Sequence, residues 1–131
     1  MRPLTRAGIV AMTVGALVLA GCGGDDGESG GGGGDDGTPA DVVVHGTDAL
    51  KFDKDSYTAQ AGSISIELIN DGSQPHTLLF DEDDVDFKKL GVSGKGDSDT
   101  GSVELTPGTY TIYCDITGHR SAGMEATLVV N

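Results

Sequence analysis

Tryptophan is missing from this 131-residue chain, and aromatic residues of any kind make up only 5% of it, so a core has to be built from Val, Ile and Leu. Basic residues are scarce as well. Eight Lys and Arg stand against 21 Asp and Glu, for a net charge of −13. A nucleic-acid partner is thereby excluded, since a phosphate backbone is held by Lys and Arg; the same charge opposes non-specific docking to anionic lipid. With only two cysteines, Cys22 and Cys114, a disulfide-rich scaffold is also excluded. Each cysteine has a better explanation than pairing with the other, so no disulfide is expected. Finally, no helical stripe of useful length runs through residues 41–131; where the apolar residues there are periodic, the period is two.

What is present divides into three parts. Arg2 and Arg6 precede a mostly apolar stretch from Ala7 to Ala20, which has the length of a signal-peptide core and is too short to span a bilayer comfortably. It ends in Leu19-Ala20-Gly21-Cys22, which resembles a bacterial lipobox. The resemblance implies cleavage before Cys22 and acylation of that residue, giving an exported protein held by lipid at the outer face of the cytoplasmic membrane. Several acyl chains anchor far better than one. Loss of Arg2 and Arg6 would take the mature charge from −13 to −15. Residues 23–40 are mostly Gly and Asp with nothing large and apolar to bury, so they are expected to form a disordered tether. A Gly-rich coil of this length has an end-to-end distance of roughly 20–25 Å.

Residues 41–131 read as an all-β domain. Val42-Val43-Val44 opens a strand, and Ile64, Ile66 and Leu68 alternate with polar neighbours toward a core. Thr77 to Phe80 is another short strand; Val103 and Leu105 alternate with Ser102 and Glu104. Thr106-Pro107-Gly108-Thr109 has a type II turn signal and is expected to join that strand to Thr109–Cys114 as a hairpin. On the latter strand Tyr110, Ile112 and Cys114 share a face, which points the thiol inward. Ala126 to Val130 closes the sheet. Short strands punctuated by Gly and Pro predict a Greek-key β-sandwich. Residues 81–101 are expected to be a loop with a fragment of helix or strand at Val85–Leu90.

The stretch from Tyr113 to Met124 carries the chemistry. Cys114, His119 and Met124 are spaced by four residues each, in one short loop between two strand-like runs. A second imidazole, His76, lies upstream in Pro75-His76-Thr77-Leu78-Leu79-Phe80. Two His and one Cys with a weak axial Met form the ligand set of a blue-copper site. Each residue alone would be unremarkable: a buried small hydrophobe, a hydrogen-bonded imidazole, core filler. Their order and spacing together single them out as metal ligands. Gly118 and Gly123, each one residue before a ligand, suit tight backbone turns. His45 is read as structural.

Two segments, Asn70 to Asp83 and Gly108 to Met124, resemble the two ligand-bearing segments of plastocyanin-like cupredoxins, and the likeness extends over residues 41–131. It implies a cupredoxin sandwich with one type 1 copper ion on His76, Cys114, His119 and Met124, with His119 as the partly exposed ligand and small residues such as Ala122 admitting a partner. The gap between Cys114 and His119 is longer than in plastocyanins proper and nearer to bacterial relatives of the sulfocyanin and plastocyanin/azurin type. Where many members carry Asn after the first His, this chain has Thr77, whose hydroxyl can make a similar hydrogen bond between the ligand loops.

These features favour a monomeric carrier of single electrons between redox protein partners over a copper-binding protein for delivery or storage. An enzyme is not expected: copper oxidases and nitrite reductases need further His ligands, and only His45 is spare. A metal-free adhesive sandwich would leave the ligand set unexplained. Asp81, Glu82, Asp83, Asp84 and Asp86 form either a solvated loop or a docking patch for a basic partner. For the anchor, Cys22→Ala is expected to release or misprocess the protein while leaving copper binding intact, as membrane fractionation after high-salt and carbonate washes would read out; a fully retained variant would argue against lipid attachment.

Overall fold

The computed structural model describes residues 37–131. The signal sequence, Cys22 and most of the expected tether lie outside the described residues. Among the described residues, nine strands and one short helix follow in chain order: β1 (Val42–Thr47), β2 (Lys51–Phe52), β3 (Ser56–Ala59), β4 (Gly62–Asn70), β5 (His76–Phe80), β6 (Leu90–Val92), β7 (Ser98–Leu105), β8 (Gly108–Tyr113), α1 (His119–Ala122) and β9 (Glu125–Val130). They form a four-stranded sheet in the order β2-β1-β4-β7 and a five-stranded sheet in the order β3-β9-β8-β5-β6. The expected β-sandwich is what these residues adopt.

Period-two alternation is the reason. Along β4, buried Ile64, Ile66 and Leu68 alternate with half-exposed residues, and β1 contributes buried Val42 and Val44 beside them. Facing them across the sandwich are Leu78, Ile112 and Leu128, each without exposed surface, with Phe80, Ala126 and Val130. A one-residue slip in pairing would turn the whole apolar set of a strand into water, so the register is strongly specified. β1 pairs parallel to β4, and β3 parallel to β9; the remaining pairs are antiparallel. Three of the six aromatic rings meet at one place, with Phe80 meeting Phe87 edge-on at 5.1 Å and Tyr110 at 6.2 Å between centroids.

Two sequence expectations need correction. The Thr106-Pro107 turn does not make a hairpin. β7 pairs with β4 in one sheet, and β8 pairs with β9 and β5 in the other, so the turn is a corner that carries the chain between layers. The Tyr110 hydroxyl donates to the Thr106 carbonyl at 2.9 Å and closes that corner; a Tyr bonded to backbone a few residues upstream is a recurrent corner device in sandwiches. Alternating strands on either side of a Pro-Gly turn fit both topologies, which is why the pattern misled.

The second correction concerns residues 81–101. The strand fragment is β6 at Leu90–Val92, and β7 begins as early as Ser98. Val85 and Phe87, expected inside the fragment, pack instead as irregular chain against the core. The early half of β7 has no large apolar residue to signal it, and its Gly101 packs close to two side chains: a Cβ there would lie 3.1 Å from Leu90 Cδ2 and 3.2 Å from Phe87 Cε2, so both would have to give by a few tenths of an ångström.

Candidate metal centre

The four expected ligands are delivered by β5, β8, α1 and β9. His76 begins β5. Cys114 directly follows β8, His119 opens α1 and Met124 directly precedes β9. One ligand atom from each of His76, Cys114 and His119 lies within 4.8 Å of the others. Cys114 Sγ is 3.5 Å from His119 Nδ1, and the two imidazole rings are 5.3 Å apart at 59°. His76, Cys114 and Met124 have no exposed surface.

The loop between Cys114 and Met124 is laced by backbone hydrogen bonds. Cys114 N–H donates to the Met124 carbonyl at 3.1 Å, Met124 N–H to the His119 carbonyl at 3.0 Å, and His119 N–H to the Ile116 carbonyl at 2.9 Å. Gly118 and Gly123 take φ of 88° and 113°, a left-handed conformation that glycine adopts without steric cost, and so bracket the single turn of α1. This tight loop also corrects the expectation that His119 is partly exposed. Its ring is buried, with 6% of its surface accessible, although it remains the most accessible of the four ligands.

Thr77 does what the usual Asn was expected to do. Its backbone N–H donates to Cys114 Sγ at 3.4 Å, its hydroxyl donates to Asp115 Oδ1 at 2.7 Å, and the same oxygen accepts the Asp115 N–H at 3.0 Å. Asp115 is also held by Lys89, whose Nζ donates to Oδ2 at 2.9 Å. Lys89 first, and then the Thr77 hydroxyl, keep the Asp115 carboxyl below the usual carboxylate range. His45 plays no part in the group of ligands; its Nδ1 lies 2.9 Å from Asp71 Oδ2.

Other residues support the site without having been singled out in the sequence. Gly46, in β1, leaves room for the His76 ring: a Cβ on it would lie 2.7 Å from His76 Cδ2 and 3.0 Å from Cγ. A lone glycine inside a strand is the signal that could have found it, because such a residue marks close approach of another group. Asp48 accepts the N–H groups of Ser73 and Gln74 at 2.8 and 3.2 Å, and Asn70 Nδ2 donates to the Gln74 carbonyl at 2.8 Å, so the chain entering His76 is fixed. Arg120 fastens the outside of the loop. It donates to Asp81 at 2.9 Å and Glu125 at 2.6 Å, with its guanidinium 4.1 Å above the Tyr113 ring.

The chemistry of the donors fits copper. Neither ring nitrogen of His76 has a hydrogen-bond partner, although the residue is completely buried. Burial first, and then the neighbouring His119, push its pKa down against Asp48 and a weak approach to the Thr47 backbone, which favours the neutral ring with a lone pair to offer. Leaving a buried polar group unsatisfied costs about 1–3 kcal/mol, which a metal bond would remove. A thiolate and a thioether beside two imidazoles select copper among the first-row ions. The fold and this donor set together define a type 1 copper protein.

Comparisons with known proteins agree. Residues 40–131 match the family described as copper binding proteins, plastocyanin/azurin family. Plastocyanin of Ulva prolifera is 38% identical over 98 residues, covering 68% of this chain and 96% of that protein. Chloroplastic plastocyanin of Hordeum vulgare is 33% identical over 131 residues, covering 93% and 73%. In fold, the chain is similar to auracyanin A of Chloroflexus aurantiacus, a "blue" copper protein, with a TM-score of 0.58 at 18% identity over 69% of this chain and 98% of that one. Auracyanin of Roseiflexus castenholzii superposes with a TM-score of 0.57 at 20% identity over 69% and 95%. The chain belongs to the plastocyanin/azurin family of copper-binding proteins.

Gly46→Ala tests how tightly the His76 ring is held. The added methyl must displace the ring or the strand, so copper affinity is expected to fall about 10–100-fold, the range seen when groups orienting a ligand are altered. Competitive copper titration measures this; unchanged affinity would mean the ring relaxes freely.

Proposed function

We propose that this protein carries single electrons between redox protein partners, and that it works as a lipid-anchored protein at the outer face of the cytoplasmic membrane. The observation that carries the first part is the closed, buried His76–Cys114–His119 group with buried Met124 beside it. Bound there, copper supplies a one-electron couple. The rest of the work falls to the chain. Cys114 and Met124 are held by the backbone of β8 and β9, His76 by β5 and the bare backbone of Gly46, and His119 by a bracketed turn. Ligands fixed in this way have little freedom to rearrange when the charge of the site changes, and fast electron exchange requires small rearrangement. Burial keeps water from adding to that cost.

The same closure weighs against delivery or storage, in which copper has to pass to an acceptor's ligands: three of the four donors have no exposed surface. An enzymatic role finds no support in the spare imidazole, since His45 lies beside Asp71. The membrane location rests on the lipobox-like Leu19-Ala20-Gly21-Cys22 and the apolar stretch before it.

The partner we propose is basic. Of the acidic run, Asp81 is paired with Arg120 and Glu82 Oε1 accepts the Thr111 N–H at 2.9 Å, so these two serve the fold. Asp83, Asp84 and Asp86 are exposed, and among the described residues none of them has an ion pair. Such a cluster steers a positive surface and mainly raises the rate of encounter.

Two experiments test this reading. Cys114→Ser is expected to abolish the intense visible band of the copper-loaded protein, because the chromophore is the copper–thiolate bond, while Met124→Leu keeps the colour and raises the potential. Full colour in the first variant, or an unchanged potential in the second, would contradict the assigned ligands. For the partner, replacing Asp83, Asp84 and Asp86 with Asn is expected to slow electron transfer with a cationic redox protein at low salt and to flatten its salt dependence, with the copper spectrum untouched. Stopped-flow rates at several ionic strengths decide it; screening acts over about 8–10 Å at 0.1–0.15 M salt. Identical salt dependence in both proteins would reduce the run to a solvated loop.

A further inference from the structure

Cys114 Sγ has two polar groups of Thr77 at the same distance. The backbone N–H lies 3.4 Å away and the hydroxyl oxygen Oγ1 also 3.4 Å away. A hydroxyl has one proton to give. Here two acceptors compete for it: the sulfur at 3.4 Å and Asp115 Oδ1 at 2.7 Å. The shorter bond to an ionised carboxylate is the stronger. The carboxylate is kept in place from its other side, where Lys89 Nζ meets Oδ2 at 2.9 Å. The hydroxyl oxygen in turn accepts the Asp115 N–H at 3.0 Å, which fixes its orientation further.

We infer that Asp115, held by Lys89, draws the Thr77 hydroxyl proton away from Cys114 and thereby limits the sulfur to one hydrogen bond from Thr77, making Asp115 and Lys89 positioning residues that set the electronic character of the copper–thiolate bond. The inference rests on the copper reading of the site. Hydrogen bonds around the cysteine sulfur tune the potential of a blue-copper centre. A second donor would stabilise the sulfur lone pairs, so the thiolate would give less electron density to the metal. The potential would rise and the thiolate-to-copper absorption would move to higher energy. By diverting the proton, the Asp115–Lys89 pair keeps the sulfur the stronger donor.

Removing Asp115 also removes a negative charge near the metal, which raises the potential with no change in hydrogen bonding. A double-mutant cycle separates the two effects. The copper-loaded full chain is prepared as wild type, Asp115→Ala, Thr77→Val and the double variant, and the potential and the visible band are measured for each. Thr77→Val alone is expected to leave the band nearly where it was, because the hydroxyl proton was not on the sulfur. Asp115→Ala is expected to move the band to higher energy and raise the potential. In the Thr77→Val background, Asp115→Ala is expected to lose the band shift and to retain only the part of the potential change due to charge. Adding Thr77→Ser to Asp115→Ala, which keeps a hydroxyl, is expected to preserve the shift.

If Asp115→Ala moves the band equally with and without the Thr77 hydroxyl, charge alone acts and the inference is overturned. A band shift in Thr77→Val alone as large as the one expected for Asp115→Ala, but toward lower energy, would overturn it as well, since the hydroxyl would then already be bonded to sulfur. A wild-type protein that binds copper with no intense visible band would overturn the copper–thiolate reading itself, and this inference with it.

Discussion

The hydrogen bond from Cys114 N–H to the Met124 carbonyl is the joint on which this molecule depends. Tyr113 pairs with Glu125 at the end of the β8–β9 ladder, and the Cys114–Met124 bond adds one more rung beyond it. Both sulfur donors are therefore extensions of the sandwich framework rather than members of a free loop. The residues between them have only to close a short gap, and Gly118 and Gly123 let them do so in one helical turn that brings His119 back. The core strands are rigid because buried Ile112, Ala126 and Leu128 lock their register, and that rigidity passes directly to the donors. Framework and functional site share one hydrogen-bond ladder.

The ligands themselves were legible in the sequence because their chemistry is unusual and their spacing is short: Cys114, His119 and Met124 fall within eleven residues. The sandwich was legible because Ile64, Ile66 and Leu68 alternate without interruption. What escaped was whatever depends on proximity between distant segments. Whether the Pro107 turn is a hairpin or a corner depends on which neighbours β7 and β8 choose, and the local pattern is the same for both. β6 has three residues, too few to show a period. The need for glycine at position 46 exists only because the His76 ring arrives there from another strand. Likewise, nothing in the acidic run distinguishes Asp81, which Arg120 uses, from Asp83, Asp84 and Asp86, which nothing among the described ion pairs uses.

The scarce cations are employed economically. In a strongly acidic chain, Arg120 joins β5, the ligand loop and β9 by meeting Asp81, Glu125 and the Tyr113 ring, and Lys89 joins the β6 side of the sheet to the residue after Cys114. Exposed ion pairs add little stability one at a time. Their value here is geometric, because each one ties a different segment to the chain around the metal ligands. The charge imbalance of the whole molecule and the careful pairing at one end are thus compatible.

The course of the chain also fixes where the molecule is best handled. β9 runs from the Met124 end to Val130, and Asn131 is fastened there by Ala61 N–H donating to its carbonyl at 2.8 Å and by its own N–H donating to Ala59 at 2.9 Å. β1 runs the opposite way, from Asp41, tied to Ser65, up to Gly46 against the His76 ring. Both ends of residues 37–131 therefore leave the sandwich away from its metal-binding pole. A fusion partner, an electrode linker or a fluorescent label joined at Asn131 sits at the far pole, and a surface array built through that residue would turn the copper end of every molecule outward.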